Sequence, residues 1–351
     1  MKNSYEIQSL KKDLNRLFIS FSFVVILMLI ISIVYSVCLS VVLTPAILEN
    51  ADTLRNQLGS GSQSTMDILK ILYNEKTADI VVQSAQVIVY FLAFSISFAV
   101  YYLIAIKGKK KIKDYCFIKK PCKKGWIKDI FIGYAFVYAF TYIQTVIMKL
   151  MELLGVKVED IPIEVPKTFE GAILLFIALC IFPMFFEETV FRGFSLGGLK
   201  KYGSFAVIFI SSISFSLMHS RFIQLPYAFV AGIVLAWLCI KYKSLLVGMA
   251  FHFLNNFISY IQLFLTDKEI PSLMIIAGII TLTAVALGVA FLLDKIIFKK
   301  NIFKDFDKNF NNEKEYYIRK KDIVKATFSC GGFYGFLICC IITTAANTIL
   351  A

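Results

Sequence analysis

The chain has 351 residues, of which 58% are hydrophobic and only 17% charged, with a mean hydropathy of +0.73. A water-soluble protein of this size carries roughly a quarter charged residues and under half apolar ones, so the composition excludes an ordinary soluble domain and points to lipid as the solvent. The net charge of +13 does not indicate nucleic acid, because the lysines sit in loops between long apolar runs, where they set topology beside an anionic leaflet.

In chain order, the apolar runs predict nine transmembrane helices near residues 18–44, 82–106, 130–152, 171–194, 205–220, 226–241, 244–265, 272–297 and 326–350. The expected fold is therefore an all-α, polytopic transmembrane helical bundle of eight to nine spans. The lower number applies if a short run, 205–220 or 226–241, is re-entrant. Three parts follow: N-terminal helices (1–165), a central core (166–265) and C-terminal helices (266–351). The first run is too long for the apolar region of a signal peptide and lacks a small-residue cleavage site. Between the first two runs, Gly59–Ser60–Gly61–Ser62 reads as flexible, and Met66, Ile68, Leu69, Ile71 and Leu72 as a short surface helix. The basic loops 107–128 and 299–325 read as topology signals. Six of the eight cysteines lie inside apolar runs, where Cys behaves as a small hydrophobe. Cys116 and Cys122 lie in a loop placed in the cytoplasm and are expected reduced.

Charge sets the expected orientation. With the N-terminus inside, one side of the membrane carries 28 Lys and Arg, in the N-terminal segment, 107–128, 200–201, 241–243 and 295–325. The other side carries 7. The positive-inside rule then places the N-terminus in the cytoplasm and the C-terminus outside. Access to any site within the bundle is expected from the inner side.

Ionisable groups near the bilayer centre cost at least about 2.5–3.5 kcal/mol each on insertion scales, which makes them functional candidates. The fourth run reads Ile181-Phe-Pro-Met-Phe-Phe-Glu187-Glu188-Thr-Val-Phe-Arg192-Gly193. Glu188 and Arg192, four apart, share a helix face and can pair, whereas Glu187 is turned about 100° away. Pro183 lacks an N–H and is expected to bend the helix or expose a carbonyl just before the pair. The chain's two histidines, His219 and His252, both lie in apolar runs, and His252 shares a face with Asn256. At 1.5 Å rise per residue, Glu187, His219 and His252 lie about 20, 24 and 13 Å from the inner loops, so they converge only if the helices tilt.

A carboxylate beside a histidine can hold and deprotonate a water, and a second histidine with a side-chain amide can donate to a developing oxyanion. These are the parts for water attack on a peptide carbonyl. Glu187, His219 and His252 could instead hold zinc, although no HExxH helix is present. Taken singly, each residue has a structural explanation: a buried ion pair, a hydrogen-bonded core histidine, or asparagines (Asn255, Asn256) that join helices. A proton-relay transporter or an idle scaffold are the alternatives, but the chain shows no internal repeat of the kind transporters carry.

Glu187-Glu188-x-x-x-Arg192, Phe215-x-x-x-His219 and His252-x-x-x-Asn256, in that order within apolar runs, resemble the CAAX-protease and bacteriocin-processing (CPBP, or Abi) family of intramembrane endopeptidases. The resemblance covers roughly Gly171 to Tyr260. It implies a helical core enclosing a cavity and cleavage of peptide bonds near the membrane, with Glu187 and His219 activating water. His252 and Asn256 would then stabilise the oxyanion, and Glu188 and Arg192 support the site. The family is commonly named a metalloprotease, but a metal-free glutamate mechanism is expected here, with no cofactor. The resemblance and the loop composition together imply a multi-pass protein of a bacterial cytoplasmic membrane. Its partners would be the lipid bilayer and a membrane-associated peptide or protein substrate, with no nucleic acid.

Overall fold

A computed structural model describes residues 2–58, 64–103, 118–155, 163–219, 224–267, 270–297 and 316–350, and among these every regular element is helical. Cys116, the Gly59–Ser62 stretch and most of the two long basic loops lie outside the described residues. The elements are α1 (Lys2–Glu49), α2 (Ala51–Leu58), α3 (Thr65–Leu72), α4 (Glu75–Tyr101), α5 (Trp126–Leu153) and α6 (Phe169–Phe176). Then come two π-helical stretches, Ile177–Ile181 and Pro183–Gly193, followed by α7 (Phe194–Leu199) and a 3₁₀ turn (Lys200–Tyr202). The chain continues with α8 (Ser204–Met218), α9 (Gln224–Tyr242), α10 (Leu245–Thr266), α11 (Pro271–Ile297), α12 (Lys320–Phe328) and α13 (Gly331–Leu350).

All nine apolar runs are helical, but they are not equal. Six of the helical segments are long and apolar enough to cross a membrane by themselves, including the continuous stretch Phe169–Tyr202. A seventh forms if α12 and α13, bent by 60° at their junction, count as one span. Of the remaining two, α8 has only 15 residues, and α10 has 22 but is interrupted by His252, Asn255 and Asn256. The sequence placed the first span at 18–44. The observed helix begins at Lys2, and its first turns pack inward through Leu10, Leu14 and Leu17. With 48 residues it is about 72 Å long, far more than the roughly 30 Å of hydrocarbon. The expected surface helix is α3, capped by the Ser64 hydroxyl on Asp67 N–H, with Met66 and Leu69 packed against Leu43 and Ala78.

Large apolar side chains face outward along the long helices, such as Val34, Val37 and Val41 on α1, Ile143 and Val146 on α5, and Ile275, Ile279 and Leu282 on α11. Water would penalise that much exposed apolar surface, and hydrocarbon does not; the chain is an integral membrane protein. Helices approach closely where side chains are small. A Cβ at Gly232 of α9 would stand 2.9 Å from Ser212 Cα, so only glycine permits the observed α8–α9 packing.

The two ends of the bundle differ. At one end Asp129, fully buried, accepts from Tyr242 Oη (2.6 Å) and Lys241 Nζ (2.6 Å), and pairs with Lys295. Asp13 takes Lys201 Nζ (2.8 Å) and Tyr202 Oη (3.0 Å). These contacts gather the starts of α1, α5 and α8 with the ends of α9 and α11, which are the segments that carry the basic loops. At the opposite end Asp79 of α4 accepts from the N–H groups of Lys167 (2.9 Å) and Thr168 (2.8 Å) and from the Thr168 hydroxyl (2.7 Å). That buried carboxylate fixes the start of α6, and thereby the helix that carries the glutamates.

Candidate active site

The helix from Phe169 to Tyr202 enters as a regular α-helix and widens at Ile177. Proline cannot supply the N–H that an α-helix would direct to the Leu179 carbonyl, and the chain answers with π-helical turns, a form that recurs at functional sites. The carbonyl expected to be exposed is the one that the site uses: Asn256 Nδ2 of α10 donates to Leu179 O at 2.8 Å. Asn255 Nδ2 donates in turn to Asn256 Oδ1 (3.2 Å), and Tyr227 Oη of α9 donates to Asn255 Oδ1 (2.7 Å). The two asparagines thus link α9, α10 and the widened helix.

Glu188 and Arg192 form the expected i,i+4 pair, Nη1 to Oε1 at 2.9 Å, and neither side chain is exposed. The same Oε1 accepts from His252 Nδ1 at 2.8 Å. A carboxylate bound to arginine accepts, so His252 Nδ1 carries the proton and the Nε2 edge of the ring is left to the site. That Nε2 stands 3.9 Å from Glu187 Oε2. Glu187 is turned away from Arg192, as its 100° offset requires, and its Oε1 accepts from Tyr90 Oη of α4 at 3.2 Å. Gly248, one turn before His252, leaves room for this arrangement. A Cβ there would stand 3.1 Å from Glu188 Oε2 and collide with Cys239 Sγ.

His219 lies just beyond α8. Its Nδ1 is 2.8 Å from the Phe215 carbonyl, which can only accept, so Nδ1 again carries the proton and Nε2 is the acceptor in the neutral ring. Phe215 is the hub of the group. Its ring lies edge-on to His219 (4.7 Å) and to His252 (5.8 Å), and the Arg192 guanidinium sits 4.1 Å above its centre. Glu187, His219, His252 and Asn256 all line one cavity of ≈ 840 Å³.

The six residues singled out from the sequence, Glu187, Glu188, Arg192, His219, His252 and Asn256, are therefore brought to one place. Four face the cavity, and Glu188 and Arg192 lie behind His252. The unequal depths of 20 and 13 Å inferred for Glu187 and His252 do not keep them apart: Glu187 Oε2 and His252 Nε2 approach to 3.9 Å. Tyr90 escaped the sequence reading. It is one of 17 tyrosines, and nothing in its own run of α4 marks it out. Among the described residues no three His, Cys, Asp or Glu side chains form a group that would hold a metal ion.

Residues 169–258 match the family of type II CAAX prenyl endopeptidase Rce1-like proteins. The match covers about a quarter of the chain and says what that segment is similar to. The limits of the match agree within two residues with the Gly171–Tyr260 extent of the motif set, and the match is consistent with the CAAX-protease family that the three motifs resemble. No curated protein and no solved structure was found to match the chain. The matched segment holds all six candidate residues, while Tyr90 comes from the helices that precede it.

Proposed function

We propose that this protein is an intramembrane endopeptidase that hydrolyses peptide bonds of membrane-associated peptides or proteins, with Glu187 as the base. The observation that carries this reading is the convergence of Glu187 with both histidines on one cavity, all three within the segment that matches the Rce1-like family. Glu187 Oε2 and His252 Nε2, 3.9 Å apart, are too distant for a direct hydrogen bond. A single water can subtend that gap with two ordinary bonds of about 2.8 Å. Glu187 takes the proton from this water as it attacks the carbonyl carbon, with the His219 Nε2 lone pair positioning it. His252 serves the developing oxyanion as an imidazolium that donates from Nε2–H, its Nδ1–H held by Glu188, whose own charge is balanced by Arg192; the intermediate then collapses with cleavage of the C–N bond as Glu187 returns the water's proton to the leaving amine. The Asn256 amide belongs to the same wall, and its bond to Leu179 O keeps the π-helix in register with α10.

The reading uses no metal. The substrates we favour are a leader peptide, a peptide pheromone or a membrane protein of a bacterial cell, rather than a prenylated C-terminus. The test is a Glu187→Ala, His219→Ala and His252→Ala series expressed in cells and scored by cleavage of candidate membrane peptides. Each variant is expected to lose cleavage while wild-type protein processes at least one peptide. Wild-type rates in all three would reject the site.

A further inference from the structure

The cavity has a direction. Along α10 its lining residues run from Phe251 and His252 to Leu263, about 18 Å of helix, away from the end that carries the basic loops. Along α1 they run from Val25 to Ser36, about 17 Å, the same way. On α4 the lining stretch, Ala85 to Tyr90, is central, and on α9 Gln224 to Leu235 lies mostly in the half farthest from the basic end. On the basic side of the site the bundle is filled: Phe191, Arg192, Phe194, Leu199, Ile210 and Leu245 are wholly buried. The cause lies in element length. The α8 helix spans only about 22 Å, so it supports the floor of the site and ends at His219, and the space above it, between α1 and α9, forms the cavity. This course runs opposite to the access expected from the basic side.

We propose that the site is served from the side of the membrane opposite the basic loops, so that its substrate is an extended peptide segment presented at the extracytoplasmic face. This deepens the peptidase reading and rests on it for the identity of the occupant. The sidedness rests on two separate observations. One is the cavity's course toward one end of the bundle. The other is the gathering of Asp129 with Lys241 and Lys295, and of Asp13 with Lys201, at the other end, which the positive-inside rule assigns to the cytoplasm. The path is suited to a main chain, because Gln86, Asn255 and Ser259 offer hydrogen-bonding groups among apolar neighbours over a length that holds about five extended residues.

Thiol labelling tests the sidedness without reference to catalysis. Ser259→Cys and, separately, Gln86→Cys are placed in protein lacking Cys38, Cys116 and Cys122, with Lys320→Cys as the basic-end control. Intact cells and inverted membrane vesicles are treated with a membrane-impermeant sulfonated maleimide. The proposal expects the two cavity cysteines to label in intact cells and Lys320→Cys only in inverted vesicles. The reverse pattern, or cavity cysteines that label from neither side, overturns it. A chain that labels as expected but cleaves no peptide keeps the sidedness and loses the peptidase reading, so the two failures are distinguishable. Folding of each variant is read from its elution as a single detergent-solubilised species, and either cavity position alone suffices.

Discussion

Replacing Glu188 by glutamine is predicted to damage the protein in a way that replacing Glu187 does not. Glu188 is wholly buried and its Oε1 accepts from both Arg192 (2.9 Å) and His252 (2.8 Å). Arg192 is equally buried, and its Nε and Nη2 find no hydrogen-bond partner among the described residues. Glu188→Gln keeps the shape but removes the charge that balances the guanidinium. Breaking a buried pair by removing one partner costs about 3–5 kcal/mol, roughly two to nearly four powers of ten in the folding equilibrium. The Phe215 ring 4.1 Å below the guanidinium returns only part of this. Among the described residues Glu187 has no arginine or lysine partner, and its hydrogen bond there is from Tyr90 at 3.2 Å, which a glutamine oxygen also accepts. The assay is paired: yield and thermal midpoint of the detergent-solubilised protein, and cleavage of a membrane peptide. Glu188→Gln should lower yield and midpoint as well as activity, and adding Arg192→Met should restore the fold but not the activity. A Glu188→Gln variant with wild-type yield and midpoint would refute the pairing argument.

Three further outcomes follow from the same geometry. Gly248→Ala should cost about 1–3 kcal/mol by overpacking, seen as a lowered thermal midpoint, and Cys239→Ala should relieve it by removing the sulfur that the new methyl meets; an unchanged midpoint in Gly248→Ala would show that α10 does not press on Glu188. Tyr90→Phe removes a hydrogen bond to a carboxylate, worth about 1.5–3 kcal/mol, so turnover should fall about ten- to a hundredfold with the midpoint nearly kept; wild-type turnover would remove Tyr90 from the site. Chelation of purified protein should leave cleavage unchanged, whereas activity lost on chelation and regained on zinc return would replace the metal-free reading.

The sequence made the chemistry of this site legible more readily than its shape. Intramembrane Glu, Arg and His are conspicuous because lipid penalises them, so the pairing of Glu188 with Arg192, the separate direction of Glu187 and the shared face of His252 and Asn256 could all be inferred from spacing. Pro183 announced a freed carbonyl, and Leu179 O is bonded by Asn256 as a result. The length of the π-helix was not legible, because periodicity counts residues per turn only after the turn type is known. The depth estimates did not show that Glu187 and His252 meet, because helix tilt is not written in residue counts. Tyr90 was hidden because it comes from α4, 97 residues from Glu187 in sequence, and a hydroxyl within an apolar helix has many possible uses. Helix lengths were least accurate at α1. There the apolar stripe ends near Leu17, but the helix continues outward to Lys2, since Leu10 and Leu14 find a partner surface in the loop-proximal part of the bundle.

The central claim is that Glu187 generates the attacking group for peptide hydrolysis. It is tested most directly with purified wild-type protein and Glu187→Gln in lipid vesicles, incubated with a set of membrane-inserted peptides and read by mass spectrometry of newly formed termini. The account predicts new termini with the wild-type protein and none with Glu187→Gln, at matched thermal midpoints. New termini produced at wild-type rate by Glu187→Gln would contradict it.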